Sequence, residues 1–324
     1  MAGARPADGR LRRAPKGPLP VSATQKRLEN LRRRDTLLRA VRSFFWNQGF
    51  TEVQTPVRIP GPLPEAHIHA VESGPWFLHP SPEACMKRLV AAGSGDIFTI
   101  CPVFRANERG TRHLPEFILL EWYRVGADYT ALMEDCEGLF LAAARALGLG
   151  NRITWQGMEL DLTPPWDRLT VAEAFRSLAG MEVSDALAAD AFDETAALVL
   201  EPRLGLSRPV FLMDYPVEKG SLAKRKEEDP AIAERFEVFA AGLELANGFS
   251  ELTDPEEQRQ RFVEENRLRE EAGLPPYPPP ETFLDALSSL PPCAGIALGV
   301  DRLAMLMLDA PLIDDVVSFR PEEL

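Results

Sequence analysis

The side chains of this chain that could do chemistry are spaced arginines and glutamates, not a compact nucleophile or metal cluster. An arginine grips a phosphate or carboxylate through a two-pronged contact, and a glutamate binds magnesium or an ammonium group. Such a set suits a reaction between charged, phosphate-bearing reactants. Glu237, Glu244 and Glu251 stand seven residues apart. On a helix that spacing keeps all three on one face; along one strand it alternates them, and a hairpin or bulge near Ala241-Gly242 would reunite them. Other reaction centres lack their local signals. There is no G-x-x-x-x-G-K-[ST] loop, Gly93-Ser94-Gly95 does not complete G-x-G-x-x-G, and neither G-x-S-x-G nor H-E-x-x-H occurs. The cysteines, Cys85, Cys101, Cys136 and Cys293, lie 16, 35 and 157 positions apart, so they form no C-x-x-C pair and read as reduced thiols. His67 and His69 are the only close histidines and read as part of a half-buried strand, not as metal ligands.

The elements that must hold these residues follow from periodicity. A helix begins at Gln25, with Leu28, Leu31, Leu38, Val41 and Phe45 near helical spacing, ends at Gly49, and leads into a strand through Val53. Residues 97–105 and 115–124 are rich in aromatic and branched side chains and read as a long antiparallel hairpin around the polar stretch 106–114. Helices are expected over 132–147, 171–179 and 185–200. Residues 235–249 should be strands broken by turns at Gly242 and Gly248, the proline-rich 274–280 a loop, and 294–308 a strand running into a helix. Residues 1–22, basic and punctuated by proline, read as a disordered tail before a single domain over 23–324.

Composition bounds the rest. With 36 Lys+Arg against 49 Asp+Glu the net charge is −13, and 45% hydrophobic with 26% charged residues is ordinary for a globular chain. No run approaches the ~18 apolar residues of a membrane span, and the N-terminus lacks the apolar core of a secretory signal. The chain reads as soluble, intracellular and cytoplasmic. The negative charge opposes nonspecific binding to a polyanion, which disfavours tRNA as a partner.

Three blocks in order resemble the class II aminoacyl-tRNA synthetase motifs. Gly49-Phe50-Thr51-Glu52-Val53-Gln54-Thr55-Pro56 matches the first; Phe104-Arg105 through Pro115-Glu116-Phe117 and Leu120-Glu121-Trp122-Tyr123-Arg124 the second; Gly295-Ile296-Ala297-Leu298-Gly299-Val300-Asp301-Arg302-Leu303 the third. Within the class, Ser81-Pro82-Glu83, Met86-Lys87-Arg88-Leu89, Arg235-Phe236-Glu237 and 244–252 resemble lysyl-tRNA synthetase. Only a short segment precedes the first motif, where that enzyme carries an anticodon-binding barrel. The arrangement is similar to the group of stand-alone ligases that attach β-lysine to a lysine of elongation factor P.

The resemblance implies an α+β fold, a mainly antiparallel sheet flanked by helices, and a homodimer through the first motif. It implies ATP with Mg2+, lysine or β-lysine as substrate, and elongation factor P as acceptor. Alternatives are a truncated enzyme that charges RNA and a noncatalytic paralogue. By the same resemblance Arg105 and Arg302 are catalytic, while Asn107, Glu108, His113, Phe117, Glu244, Leu245 and Gly299 join them around ATP. Glu237 and Glu244 hold the metal. Ser81, Pro82, Glu83, Leu114, Tyr123, Asn247, Phe249, Glu251 and Ala297 surround the amino-acid substrate. The chain departs from the family pattern twice. Ala106 displaces the usual Asn-Glu by one position, and Leu114 replaces an asparagine whose amide would contact substrate.

Overall fold

The computed structural model describes residues 21–324, so the segment read as a tail lies outside the described residues up to position 20. In chain order come α1 (Val21–Asn47), β1 (Thr51–Glu52), β2 (Arg58–Ile59), β3 (Val71–Ser73), β4 (Trp76–Leu78), α2 (Glu83–Ala91), β5 (Ile97–Phe104), β6 (Glu116–Val125) and α3 (Tyr129–Ala146). A smaller region follows with β7 (Arg152–Trp155), β8 (Met158–Asp161), β9 (Asp167–Thr170), α4 (Val171–Ala174), α5 (Val183–Ala188) and α6 (Phe192–Thr195). The chain closes with β10 (Val210–Pro216), β11 (Ile232–Ala240), β12 (Leu243–Ser250), α7 (Pro255–Glu271), α8 (Glu281–Leu287), β13 (Cys293–Gly299) and α9 (Val300–Leu308).

Eight strands form one sheet in the order β1-β5-β6-β13-β12-β11-β10-β9, antiparallel except for the pairs β1–β5 and β9–β10 at its edges. One face is apolar. Leu120, Trp122, Ile296, Leu298, Phe236 and Val238 project into a core closed by Leu37, Val41 and Phe45 of α1, by α3, and by α9. Leu37, Val41 and Phe45 recur every four residues and are fully buried, so burial of one helix face fixes α1 on the sheet. The Phe45 ring stacks on Phe98 at 4.9 Å and meets Trp122 at 5.1 Å. Asp301 ties three elements together, accepting from the Ile118 amide (2.8 Å) and pairing with Arg34 at 2.6 Å.

The other face carries the remaining alternation, and register identifies its members. Glu121 pairs with Ala297, which pairs with Asn247, which pairs with Glu237; Tyr123 pairs with Gly295, and Gly295 with Phe249. The turn at Ala241 (φ 53°) and Gly242 (φ 69°) joins β11 to β12, and a register shift leaves Phe239 opposite Glu244. The turn and the bulge each absorb one odd step, so Glu237, Glu244, Asn247 and Glu251 share one face.

Three expectations about elements need correction. Residues 185–200 are not one helix, because Asp190 takes a left-handed φ of 50° that ends the first turns and α6 begins afresh. Gly248 is no turn; it lies inside β12, where a Cβ would come within 2.9 Å of both Ile296 and the Phe236 ring. His67 and His69 stand in a loop between β2 and β3, not in a strand. Among the described residues no helix is long and apolar enough to cross a membrane.

Candidate active site

Charged side chains on the polar face collect at two ends. At the first, a cavity of about 370 Å³ is lined by Arg105, Glu108, His113, Phe117, Glu244 and Arg302, with Leu245, Ala297 and Gly299 in its floor. The Arg105 guanidinium lies 5.2 Å from the Phe117 ring centre and 3.9 Å from Glu108. Arg302 opens α9, where it donates to the Glu244 carbonyl (2.8 Å), to the Glu244 carboxylate (3.2 Å) and to His113 Nε2 (2.5 Å). That last bond requires a neutral imidazole. Burial and the Arg302 charge hold His113 down at about 4, so it is neutral near pH 7.

Glu237 faces the same surface one strand further out. Arg235 donates to it at 2.6 Å and Tyr215 at 2.7 Å; burial raises it to about 7 against Arg235, with Glu244 adding repulsion. Among the described residues no group of three His, Cys, Asp or Glu side chains could hold a metal alone. Glu237 lines a neighbouring cavity and not the one that holds Glu244, so the two carboxylates share a face without lining one pocket; a magnesium ion on them would complete its shell with waters and phosphate oxygens.

The second end is a smaller cavity, about 80 Å³, lined by Glu65, Ser81, Glu83, Glu121, Tyr123 and Asn247, with Arg105, Phe249, Gly295 and Ala297 around it. Glu121 accepts from Ser81 Oγ (2.8 Å) and from the Tyr123 hydroxyl (2.7 Å). Burial, reinforced by Glu83, raises Glu121 to about 8, and burial likewise holds the Tyr123 phenol protonated. Behind the floor Lys87 sits 2.5 Å from both Glu83 and Glu251, with side chains almost wholly out of water. Burial would discharge Lys87, but Glu251 and Glu83 outweigh it and keep the ammonium. Gly295 is required here, since any Cβ would meet the Tyr123 ring at 2.3 Å and the Glu251 carboxylate at 2.4 Å.

The structure gathers most of the sequence-derived site residues and redistributes some. Leu114 is buried in the wall of the larger cavity and does not line the smaller one. Asn107 sits exposed in a left-handed turn (φ 65°). Pro82 is the buried cap of α2. Asn247 Oδ1 accepts from Arg235 at 3.1 Å. Glu251 lies beneath the floor, occupied by Lys87, and not among the cavity-lining residues. Sequence reasoning missed Glu121, Lys87, Arg235 and Glu65 as site residues. Glu121 was findable, because in β6 it alternates in phase with Phe117 and Tyr123.

A charged floor on an antiparallel sheet, with arginines at one end and caged carboxylates at the other, is the arrangement of a class II synthetase catalytic domain. The family model for tRNA synthetases class II (D, K and N) matches residues 19–323, and the chain belongs to that family. It is 40% identical over 311 residues to an elongation factor P (R)-β-lysine ligase of Salmonella gallinarum, covering 90% of this chain and 95% of the relative. A ligase of the same name from Vibrio atlanticus is 38% identical over 309 residues with the same coverage. A lysine–tRNA ligase of a Thermoanaerobacter species is 38% identical over 322 residues, which span 89% of this chain but 62% of that enzyme.

Proposed function

We propose that the protein uses ATP to activate a lysine-type diamino acid, (R)-β-lysine or lysine, and transfers it to a lysine side chain of elongation factor P. The observation that carries this reading is a charge count behind the smaller cavity. Four carboxylates meet there, Glu65, Glu83, Glu121 and Glu251, and the one lysine among them, Lys87, is paired with Glu83 and Glu251, so carboxylates outnumber the internal ammonium. Two ammonium groups on a ligand would meet that excess and favour the ionised forms of Glu121 and Glu251, which burial holds up at about 8. Arg105, which lines both cavities, is left for the ligand carboxylate.

The chemistry follows from that placement. A carboxylate oxygen attacks the α-phosphorus of ATP, and the bond to pyrophosphate breaks. Charge grows on the equatorial oxygens, which Arg105 and Arg302 would neutralise. Neutral His113 accepts from Arg302 and fixes its direction without adding charge. Magnesium held through Glu237 and Glu244 would neutralise the triphosphate. The acceptor amine then attacks the acyl carbon and AMP leaves, with no covalent bond to the enzyme.

The protein acceptor rests on the names of the relatives that match almost end to end and on the −13 charge, which opposes a polyanionic acceptor. A homodimer through the region from Leu31 to Pro56 is part of the reading. A groove of about 860 Å³ between α1 and α3 and the exposed Trp46 support it, and sedimentation as a monomer at micromolar concentration would refute it. The activation step is tested by ATP–pyrophosphate exchange with lysine and (R)-β-lysine. Exchange driven by either diamino acid, and not by leucine, is expected; exchange with leucine alone would overturn the assignment.

A further inference from the structure

The loop between β2 and β3 contributes Glu65 and Ile68 to the wall of the smaller cavity, and α7 and the segment after it hold that loop in place. The Ala66 amide donates to Glu265 Oε2 at 2.6 Å, and the Ala70 amide to the Tyr277 hydroxyl at 2.9 Å. Tyr277 in turn donates to the Ile68 carbonyl at 3.3 Å. Arg269, stacked 3.7 Å over Tyr277, reaches the Glu65 and Ile68 carbonyls, each at 3.4 Å. Glu265 and Arg269 are one turn apart on α7, so a single helix face anchors the loop. Pro278 closes in from the other side, near enough that a Cβ on Gly61 would strike it at 2.6 Å.

All of this restraint places one charged side chain in the cavity. Glu65 lines it together with Glu83, Arg105 and Glu121. Among the described residues its carboxylate makes no hydrogen bond and no ion pair, in contrast to the paired Glu83, Glu121 and Glu251. Burial, with Glu83 adding repulsion, raises it to about 7. A half-buried carboxylate facing Glu83 with no partner of its own is open to a ligand cation that enters the cavity.

Resting on the reading above, we propose that Glu65 receives the ligand amino group nearest the reacting carboxylate and so selects diamino acids over monoamino ones. Depth assigns the ends. Glu121 and Tyr123, each 2% exposed, form the deep floor suited to the distal ammonium, whereas Glu65 feels Arg105, the residue left for the ligand carboxylate. Ala297 lies in the floor of both cavities, so Glu65 from the loop and Ala297 from the sheet bracket the carbons where the proximal amino group can sit.

The test is calorimetric binding of lysine, (R)-β-lysine and 6-aminohexanoate, which lacks the proximal amino group, in the presence of a non-hydrolysable ATP analogue. In Glu65→Gln the preference for either diamino acid over 6-aminohexanoate should fall about ten- to a hundredfold, the worth of one charge-assisted bond. Glu65→Asp, which keeps the charge, should retain more of that preference. An unchanged preference in Glu65→Gln overturns the inference and leaves the functional reading standing. Failure of the wild-type protein to bind any of the three overturns both.

Discussion

At the larger cavity the charged groups are partly exposed and hold one another: Arg302 rests on Glu244 and His113, and Arg105 on Phe117. At the smaller cavity Glu121, Glu251 and Lys87 are out of water, and internal cations fall short of internal carboxylates. Both ends draw on β6, β12 and β13, but Arg302 comes from α9 and the Lys87–Glu83 pair from α2, so the contrast comes from depth and from which helix supplies the cation. Partners near solvent can be exchanged for a triphosphate at little cost, because water screens each intermediate step. Buried charge discriminates instead, since a ligand that leaves a carboxylate unpaired forfeits its full desolvation penalty.

The sharpest break of this contrast is Lys87→Met. Removing the internal ammonium strands Glu83 and Glu251, and should lower unfolding free energy by about 3–5 kcal/mol in urea titrations at neutral pH. Arg302→Ala should do the reverse. Lysine-dependent pyrophosphate exchange should drop about 10²- to 10³-fold, as for loss of an oriented oxyanion donor, while the urea midpoint stays close to wild type.

Protonation separates the ends more finely. Burial pushes Glu121 and Glu251 up to about 8 and Glu65 to about 7, with Glu83 adding repulsion to all three and Lys87 opposing at Glu121 and Glu251, while Tyr123 remains protonated. A diammonium ligand favours their ionised forms, so binding near pH 7 should release protons and affinity should rise from pH 6 to pH 8. A release of one proton corresponds to about 1.4 kcal/mol per pH unit, measurable by calorimetry in buffers of different ionisation enthalpy. His113, held at about 4, is neutral throughout that range and contributes nothing. The smallest effect is expected at Ala297→Gly. One methyl fewer in the floor should shift the lysine to β-lysine activity ratio toward lysine by about 1 kcal/mol, read in the exchange assay.

How much of this was legible in the sequence depended on how local the cause is. The β5–β6 hairpin and the run of β13 into α9 follow from alternation and apolar spacing, which act over a few residues. The grouping of Glu237, Glu244 and Glu251 needed both a turn and a bulge; the turn was visible in Ala241-Gly242, whereas the bulge at Glu244 is set by pairing. Gly248 resembles a breaker in sequence but answers to Ile296 on a neighbouring strand. The pairing of Lys87 with Glu83, four residues earlier on α2, could have been read, yet its burial against Glu251 could not. Glu65 gave no signal at all, because its loop is fixed by a helix residue 199 positions away.

The central claim is that the excess buried charge selects a diamino acid destined for a protein lysine. Its most direct measurement is the intact mass of elongation factor P after incubation with the protein, ATP and (R)-β-lysine. The account predicts a gain of one β-lysyl unit on a single lysine, dependent on ATP and lost with Arg302→Ala. Elongation factor P left unmodified, while tRNA is charged with lysine under the same conditions, would contradict it.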